Sequence, residues 1–206
     1  RARRPVPRPV RGGRRTGMTS IDLVEASPER ATLPVGAPGP AFEGLLGTDG
    51  LRRGFSTLAD REVLVLIFSS NRCPTAKAYG ERMNAMQREF GPRGVQLVAI
   101  NSNDPNLYPD ESYLRMVDRA IEDDYSFPYL VDVGQEVARA YGATCTFHVF
   151  VLDRNRTLRY EGRFDDSRIE SRVTSPDLAN ALSDVLAGRE VRVATTRPFG
   201  CSLDFL

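Results

Sequence analysis

The chain has 206 residues, 41% of them hydrophobic, and a formal net charge of +1, the profile of one domain with appended segments. Its longest apolar stretch, Val63 to Phe68, falls far short of the roughly 20 residues that a membrane-crossing helix needs, so no membrane role is expected. Residues 1 to 17 carry seven arginines and no acid; taking those charges from the total leaves −6 on residues 18 to 206, an acidic body unsuited to nucleic acid.

The leader reads as a disordered Arg/Pro/Gly extension able to hold phosphates loosely, without the apolar core of a secretory signal, and Met18 is the expected start of the protein proper. Residues 1–34 thus form leader and linker, 35–190 the domain and 191–206 a tail. Met18 to Gly39, rich in Pro, Gly and Ala, is expected to wrap the surface. Ala41 to Leu46 and the turn Gly47-Thr-Asp-Gly50 predict a hairpin. Val63 to Phe68, continuous in apolar and β-branched residues, predicts a central strand buried on both faces.

A helix is predicted over Pro74 to Phe90, with Tyr79, Met83, Met86 and Phe90 at helical spacing and Pro74 in the first turn. Val95 to Ile100 is a second buried strand, and Asn101-Ser-Asn-Asp-Pro105 a turn. Asp110 to about Asp123 predicts a helix with Leu114, Val117 and Ile121 inward. Then come a strand at Tyr129 to Val131, a helix from Gln135 to Tyr141 closed by Gly142, a strand from His148 to Leu152, and a hairpin partner over Thr157 to Phe164. The last helix is capped by Ser175, with Pro176 at its first position, Asp177 near the dipole and Gly188 beyond its end. Helix-linked strands followed by an antiparallel pair predict an α/β fold: a mixed central sheet, helices on both faces and an N-terminal hairpin.

Cys73 falls where the central strand hands over to a helix, a place that favours thiolate; the competing role is that of a small buried hydrophobe. Three cysteines, Cys73, Cys145 and Cys201, are too sparse and odd a set for a disulfide-stapled secreted fold, and a reducing cytoplasm is expected. One histidine and no paired Cys/His spacing leave no zinc site to propose, and no organic cofactor is called for.

These segments resemble the thioredoxin-fold redoxin group, which includes the peroxiredoxins. The resemblance runs from about Val35 to the C-terminus and rests on Phe68-Ser-Ser-Asn-Arg-Cys-Pro74 with Lys77-Ala-Tyr79, Ile100-Asn-Ser-Asn-Asp104, Gln135 to Gly142, Cys145-Thr-Phe-His148, Gly162-Arg-Phe-Asp-Asp166 and Phe199-Gly-Cys-Ser202. It implies a thioredoxin-like fold and a nucleophilic Cys73. In many relatives a first cysteine stands where Ser70 stands here, so a local two-thiol center cannot form. In peroxiredoxins a threonine holds that place, which the Ser70 hydroxyl can mimic, and Leu66 occupies the position of their upstream proline. Phe147 falls where the fold usually carries a cis-proline; a non-proline cis bond costs about 2.5–4 kcal/mol, so a trans bond in a reshaped loop, or a strained one, is expected.

On that resemblance Ser70 either hydrogen-bonds the reacting sulfur or peroxide, or caps the helix. Cys145 either resolves a Cys73 sulfenic acid by forming a disulfide, or is a buried strand-end residue; Cys201, on a tail that folds back or stays free, is the weaker resolving thiol. Arg72 turns toward the thiol or to solvent, and His148 is a base or points away. Asp165 and Asp166 read as a solvated turn rather than a catalytic dyad. The expected partners are a small peroxide or thiol substrate and an external thiol reductant, with the oligomeric state open. Two functions follow: a thiol-dependent oxidoreductase, as peroxidase or in mixed-disulfide exchange, and a partner-binding module that has lost its chemistry.

Overall fold

The computed structural model describes residues 32–203 and 205; the arginine-rich leader and Met18 lie outside them. Seven strands form one sheet in the order β2-β1-β5-β4-β3-β6-β7, from β1 (Leu45–Gly47), β2 (Arg52–Arg53), β3 (Val63–Ser69), β4 (Val95–Asn101), β5 (Tyr129–Val131), β6 (Val149–Leu152) and β7 (Leu158–Gly162). Strands β3, β4 and β5 are parallel, while β6, β7 and the hairpin run antiparallel to their neighbours. The mixed sheet is the architecture its pattern predicted.

Every residue of β3 is buried because the sheet is covered on both sides. Val63, Val65 and Ile67 face a core shared with the helices α1 (Pro74–Ala78), α2 (Gly80–Phe90), α3 (Tyr113–Glu122) and α5 (Asp177–Leu186). Leu64, Leu66 and Phe68 face a second core with α4 (Glu136–Tyr141), Phe42, Leu58 and Leu203. Each such side chain contributes about 1.5–3 kcal/mol by leaving water. The hairpin turn forms as read, with the Gly50 N–H on the Gly47 carbonyl at 2.9 Å.

Four local expectations are corrected. The helix over Pro74 to Phe90 is interrupted at Tyr79, whose N–H bonds Ala76 in a tighter turn while its hydroxyl reaches the buried Asp165 carboxylate at 2.5 Å. Helix α3 starts at Tyr113, after a 3-10 turn over Pro109–Glu111, and buries Met116 and Arg119; Leu114 and Ile121, read as inward, are 72% and 73% exposed, with Val117 half-buried. Arg119 turns the helix, because its guanidinium reaches the carbonyls of Ser70 and Asn71 at 3.2 Å each. Gln135 lies outside α4 in a left-handed conformation (φ 63°), and the Asp132 carboxylate takes the free N–H groups of Val137 and Ala138. Helix α5 begins at Asp177 with Pro176 as its flanking residue, and the Ser175 hydroxyl is spent on the Asp177 carboxylate.

The tail folds back. Arg189 and Arg192 hold Asp184 of α5, Ala194 and Thr196 bond the backbone of Glu161 on β7, and Cys201 and Leu203 end up against the body. Among the described residues, no helix is long and apolar enough to cross a membrane.

Candidate active site

The chain leaves β3 and enters α1 through Ser70-Asn-Arg-Cys73, a loop built around one buried carboxyl group. Glu111, 2% exposed, takes the Ser70 hydroxyl at 2.5 Å and the Arg72 N–H at 3.2 Å on one oxygen. Its other oxygen takes the Asn71 N–H at 2.8 Å and the Asn101 side-chain amide at 2.9 Å. The Ser70 oxygen accepts the N–H groups of Arg72 and Cys73, both at 3.1 Å. Asn71 bonds the Asp110 carbonyl and the Tyr129 hydroxyl, and Arg119 closes the loop from below. Polar groups buried this way need partners, and the Ser70, Asn71 and Glu111 side chains have theirs, while Nη2 of Arg119 is left without one.

Cys73 flanks α1 and is 1% exposed. The Thr146 hydroxyl lies 3.0 Å from its sulfur. Burial pushes the Cys73 thiol up, but hydrogen bonds from the Cys201 thiol, the Thr146 hydroxyl and the N–H groups of Ala76 and Cys201 outweigh it, and the net shift is downward. Ala76 contributes because the start of a helix leaves its N–H groups without partners. Specific donors, more than the axis of a five-residue helix, favour the anion.

Thr146 owes its place to a turn. The His148 N–H bonds the Cys145 carbonyl at 3.3 Å, and Phe147, third in that turn, adopts φ 71°, the left-handed value a type II turn demands there. The peptide bond before Phe147 is trans. Its N–H donates to the Phe68 carbonyl at 2.5 Å, and its ring lies 4.3 Å from that of Tyr79. The loop is thus reshaped, with strain of roughly 1–3 kcal/mol held by packing.

The C-terminal segment lies across this turn. The Thr146 N–H bonds the Cys201 carbonyl at 2.7 Å, the Cys201 N–H bonds the Thr146 oxygen at 3.1 Å, and Cys145 pairs with Ser202 as a short antiparallel bridge. A Cβ on Gly200 would stand 1.8 Å from the Thr146 carbonyl oxygen, so only glycine permits this approach.

Of the residues singled out from sequence, Ser70 acts as a loop cap with its proton engaged by Glu111. Cys145 is half-buried, its sulfur 4.0 Å from the Thr144 hydroxyl, and burial pushes its thiol up to about 12. The Arg72 guanidinium lies over the Tyr108 ring at 3.8 Å instead of over the sulfur. His148 is fully buried, with one ring nitrogen 2.8 Å from Glu161 and the other taking the Thr144 N–H at 3.3 Å, so the ring proton belongs on the Glu161 side and neither nitrogen serves as a base for Cys73. Asp165 and Asp166 part ways: Asp165 is buried under Tyr79 and Arg82, while half-buried Asp166 binds Thr174, so they form no dyad, and Asp165 is not in a solvated turn. The reading from sequence missed Thr146 and Glu111. Thr146 stood just before the altered loop position, the one signal that could have exposed it; Glu111 looked like part of an exposed helix start. Among the described residues, no three His, Cys, Asp or Glu side chains gather as a metal site.

A mixed sheet with a helix-flanking cysteine beside a reshaped turn defines a thioredoxin-like redoxin. The AhpC/TSA family model matches residues 35–161, and the chain belongs to that family. A hypothetical protein from Sinorhizobium meliloti 1021 is similar in structure, with TM-score 0.80 and 34% identity over 86% of this chain and 97% of that one. An uncharacterized conserved protein from Geobacillus kaustophilus gives TM-score 0.78 and 36% identity over 84% and 93%. The thiol-disulfide oxidoreductase ResA of Halalkalibacterium halodurans is 34% identical over 77 residues, which are 37% of this chain and only 40% of that protein's length.

Proposed function

We propose that this protein is a thiol oxidoreductase in which the Cys73 thiolate attacks an oxidised small-molecule substrate and an external thiol restores it. The observation that carries this reading is the set of donors on the Cys73 sulfur, the Cys201 thiol and then the Thr146 hydroxyl at 3.0 Å, which favours the reactive anion despite burial. Disulfide exchange fits the surroundings better than peroxide reduction. The Ser70 proton is engaged by Glu111, the Arg72 guanidinium lies on Tyr108, and Arg119 bonds backbone carbonyls, which leaves Thr146 as the side chain poised to polarise an O–O bond. In exchange, the Cys73 sulfur displaces one thiolate from a disulfide and becomes a mixed disulfide.

The test treats the reduced full chain with glutathione disulfide and, separately, with hydrogen peroxide, and follows adducts by intact mass. Reaction of Cys73 with glutathione disulfide, seen as an adduct that forms and need not persist, absent in Cys73→Ser and faster than peroxide oxidation, is the expected result. The second reading, a partner-binding module without turnover, draws on the 1% exposure of Cys73. Thiols that stay unmodified until the protein is denatured would establish it instead.

A further inference from the structure

We propose that Cys201, on the C-terminal segment, is the second redox thiol of this protein and forms a reversible disulfide with Cys73, leaving Cys145 outside the exchange. This rests on Cys73 being the nucleophile.

The fold commits much structure to bringing Cys201 here. Arg189 and Arg192 on Asp184, Ala194 and Thr196 on Glu161, and Leu203 in the second core anchor the segment before and after it. Gly200 lets its backbone press onto the Thr146 carbonyl. One hydroxyl, that of Thr146, then stands 3.0 Å from the Cys73 sulfur and 3.1 Å from the Cys201 nitrogen. With its backbone held on the hydroxyl that touches the Cys73 sulfur, Cys201 is close enough that its thiol favours the Cys73 anion and is itself raised by Cys73. Cys145 precedes Thr146 directly, yet its own sulfur meets the Thr144 hydroxyl. The segment that carries Cys201 is thus bonded to the very turn that holds Thr146 against Cys73.

The chemistry is self-consistent. Cys73 attacks one sulfur of a substrate disulfide; that S–S bond breaks and a first thiolate leaves. Cys201 gives its proton to that first thiolate, its sulfur attacks the Cys73 sulfur, the mixed S–S bond breaks, and the second half of the substrate leaves as a thiolate that takes its proton from water. Two electrons pass from the protein pair to the substrate, and a small dithiol returns them. Cys201 is exposed at the surface, and in the resting state partial desolvation of its thiol, with the Cys73 hydrogen bond and charge adding to it, pushes the thiol up. Once Cys73 is in a mixed disulfide those two causes vanish, and Cys201 gives up its proton more readily at the step that needs it.

The experiment uses the reduced full chain with one equivalent of glutathione disulfide, acid quench, alkylation and non-reducing peptide mapping. Wild type and Cys145→Ser are expected to yield Cys73 joined to Cys201, while Cys201→Ser and Cys201→Ala, checked for folding by circular dichroism, stop at the glutathione adduct on Cys73. A Cys73–Cys145 disulfide, a persistent adduct in wild type, or release of glutathione from the Cys201 variants overturns the assignment and leaves Cys73 as nucleophile. No adduct on Cys73 in any variant overturns both readings.

Discussion

The hydroxyl of Thr146 stands 3.0 Å from the sulfur of Cys73. The hydroxyl also lies 3.1 Å from the Cys201 carbonyl, which already takes the Thr146 N–H at 2.7 Å, so its single proton is shared between that carbonyl and the nearer sulfur. A hydrogen bond to a charged group is worth about 1.5–3 kcal/mol, equivalent to roughly 1–2 pKa units. In the wild type, Cys73 is held below the ordinary thiol value, so its rate of reaction with iodoacetamide should level off at a lower pH than that of a free cysteine, about 8.5. Thr146→Val should move that inflection upward and Thr146→Ser should leave it nearly in place. An inflection unchanged in Thr146→Val would rule out this role for the hydroxyl.

Glu111 is the hub of the loop that presents Cys73, with four donors on its two oxygens. Glu111→Gln turns one acceptor into a donor facing other donors. A loss of roughly 3 kcal/mol is expected, together with a fall in Tm of roughly 6–12 °C. Denaturant titration of both proteins measures it, and equal stabilities would show that the carboxyl group is dispensable.

Phe147→Pro would restore the residue usual to the fold at this place, yet it should destabilise this protein. Proline cannot adopt φ 71°, and it removes the N–H that meets the Phe68 carbonyl. A loss of about 2 kcal/mol or more is expected in chemical denaturation. A stabilised variant would mean that the turn readily converts to the proline form.

The strands of the sheet centre were legible because burial on both faces forces an unbroken apolar run, as in Val63 to Phe68, and the turn at Asp49-Gly50 because its conformation demands that chemistry. The facing of α3 was not. Leu114, Val117 and Ile121 satisfy a helical period as well as the buried pair Met116 and Arg119 do, and the choice is made by Arg119 reaching carbonyls far away in sequence. Within the site, the position of Cys73 followed from local pattern, whereas its donors come from Thr146 and Cys201, which only the folded chain brings together. Cys145 looked the nearer companion in sequence, but the donors to Cys73 come from Cys201 on the tail instead.

Gly200→Ala tests whether the C-terminal segment controls access to the site. Its new Cβ would meet the Thr146 carbonyl oxygen, a backbone atom that cannot swing aside, at 1.8 Å, so the segment must lift. Cys73 should then react with iodoacetamide several-fold faster at fixed pH while the far-ultraviolet circular dichroism stays unchanged. Unaltered reactivity would show that substrate reaches the sulfur by another route.

The outer side of β7 is occupied twice over: Gly36 and Ala37 bond Leu158 near one end, while Ala194 and Thr196 bond Glu161 near the other. At the opposite margin β2 is only Arg52–Arg53, short and positively charged. Neither border therefore offers a long ladder of vacant amides to a stray strand, which guards the protein against edge-to-edge aggregation. A change that frees the C-terminal segment would remove half of that guard on β7, so turbidity on prolonged incubation becomes a second trace of the same event.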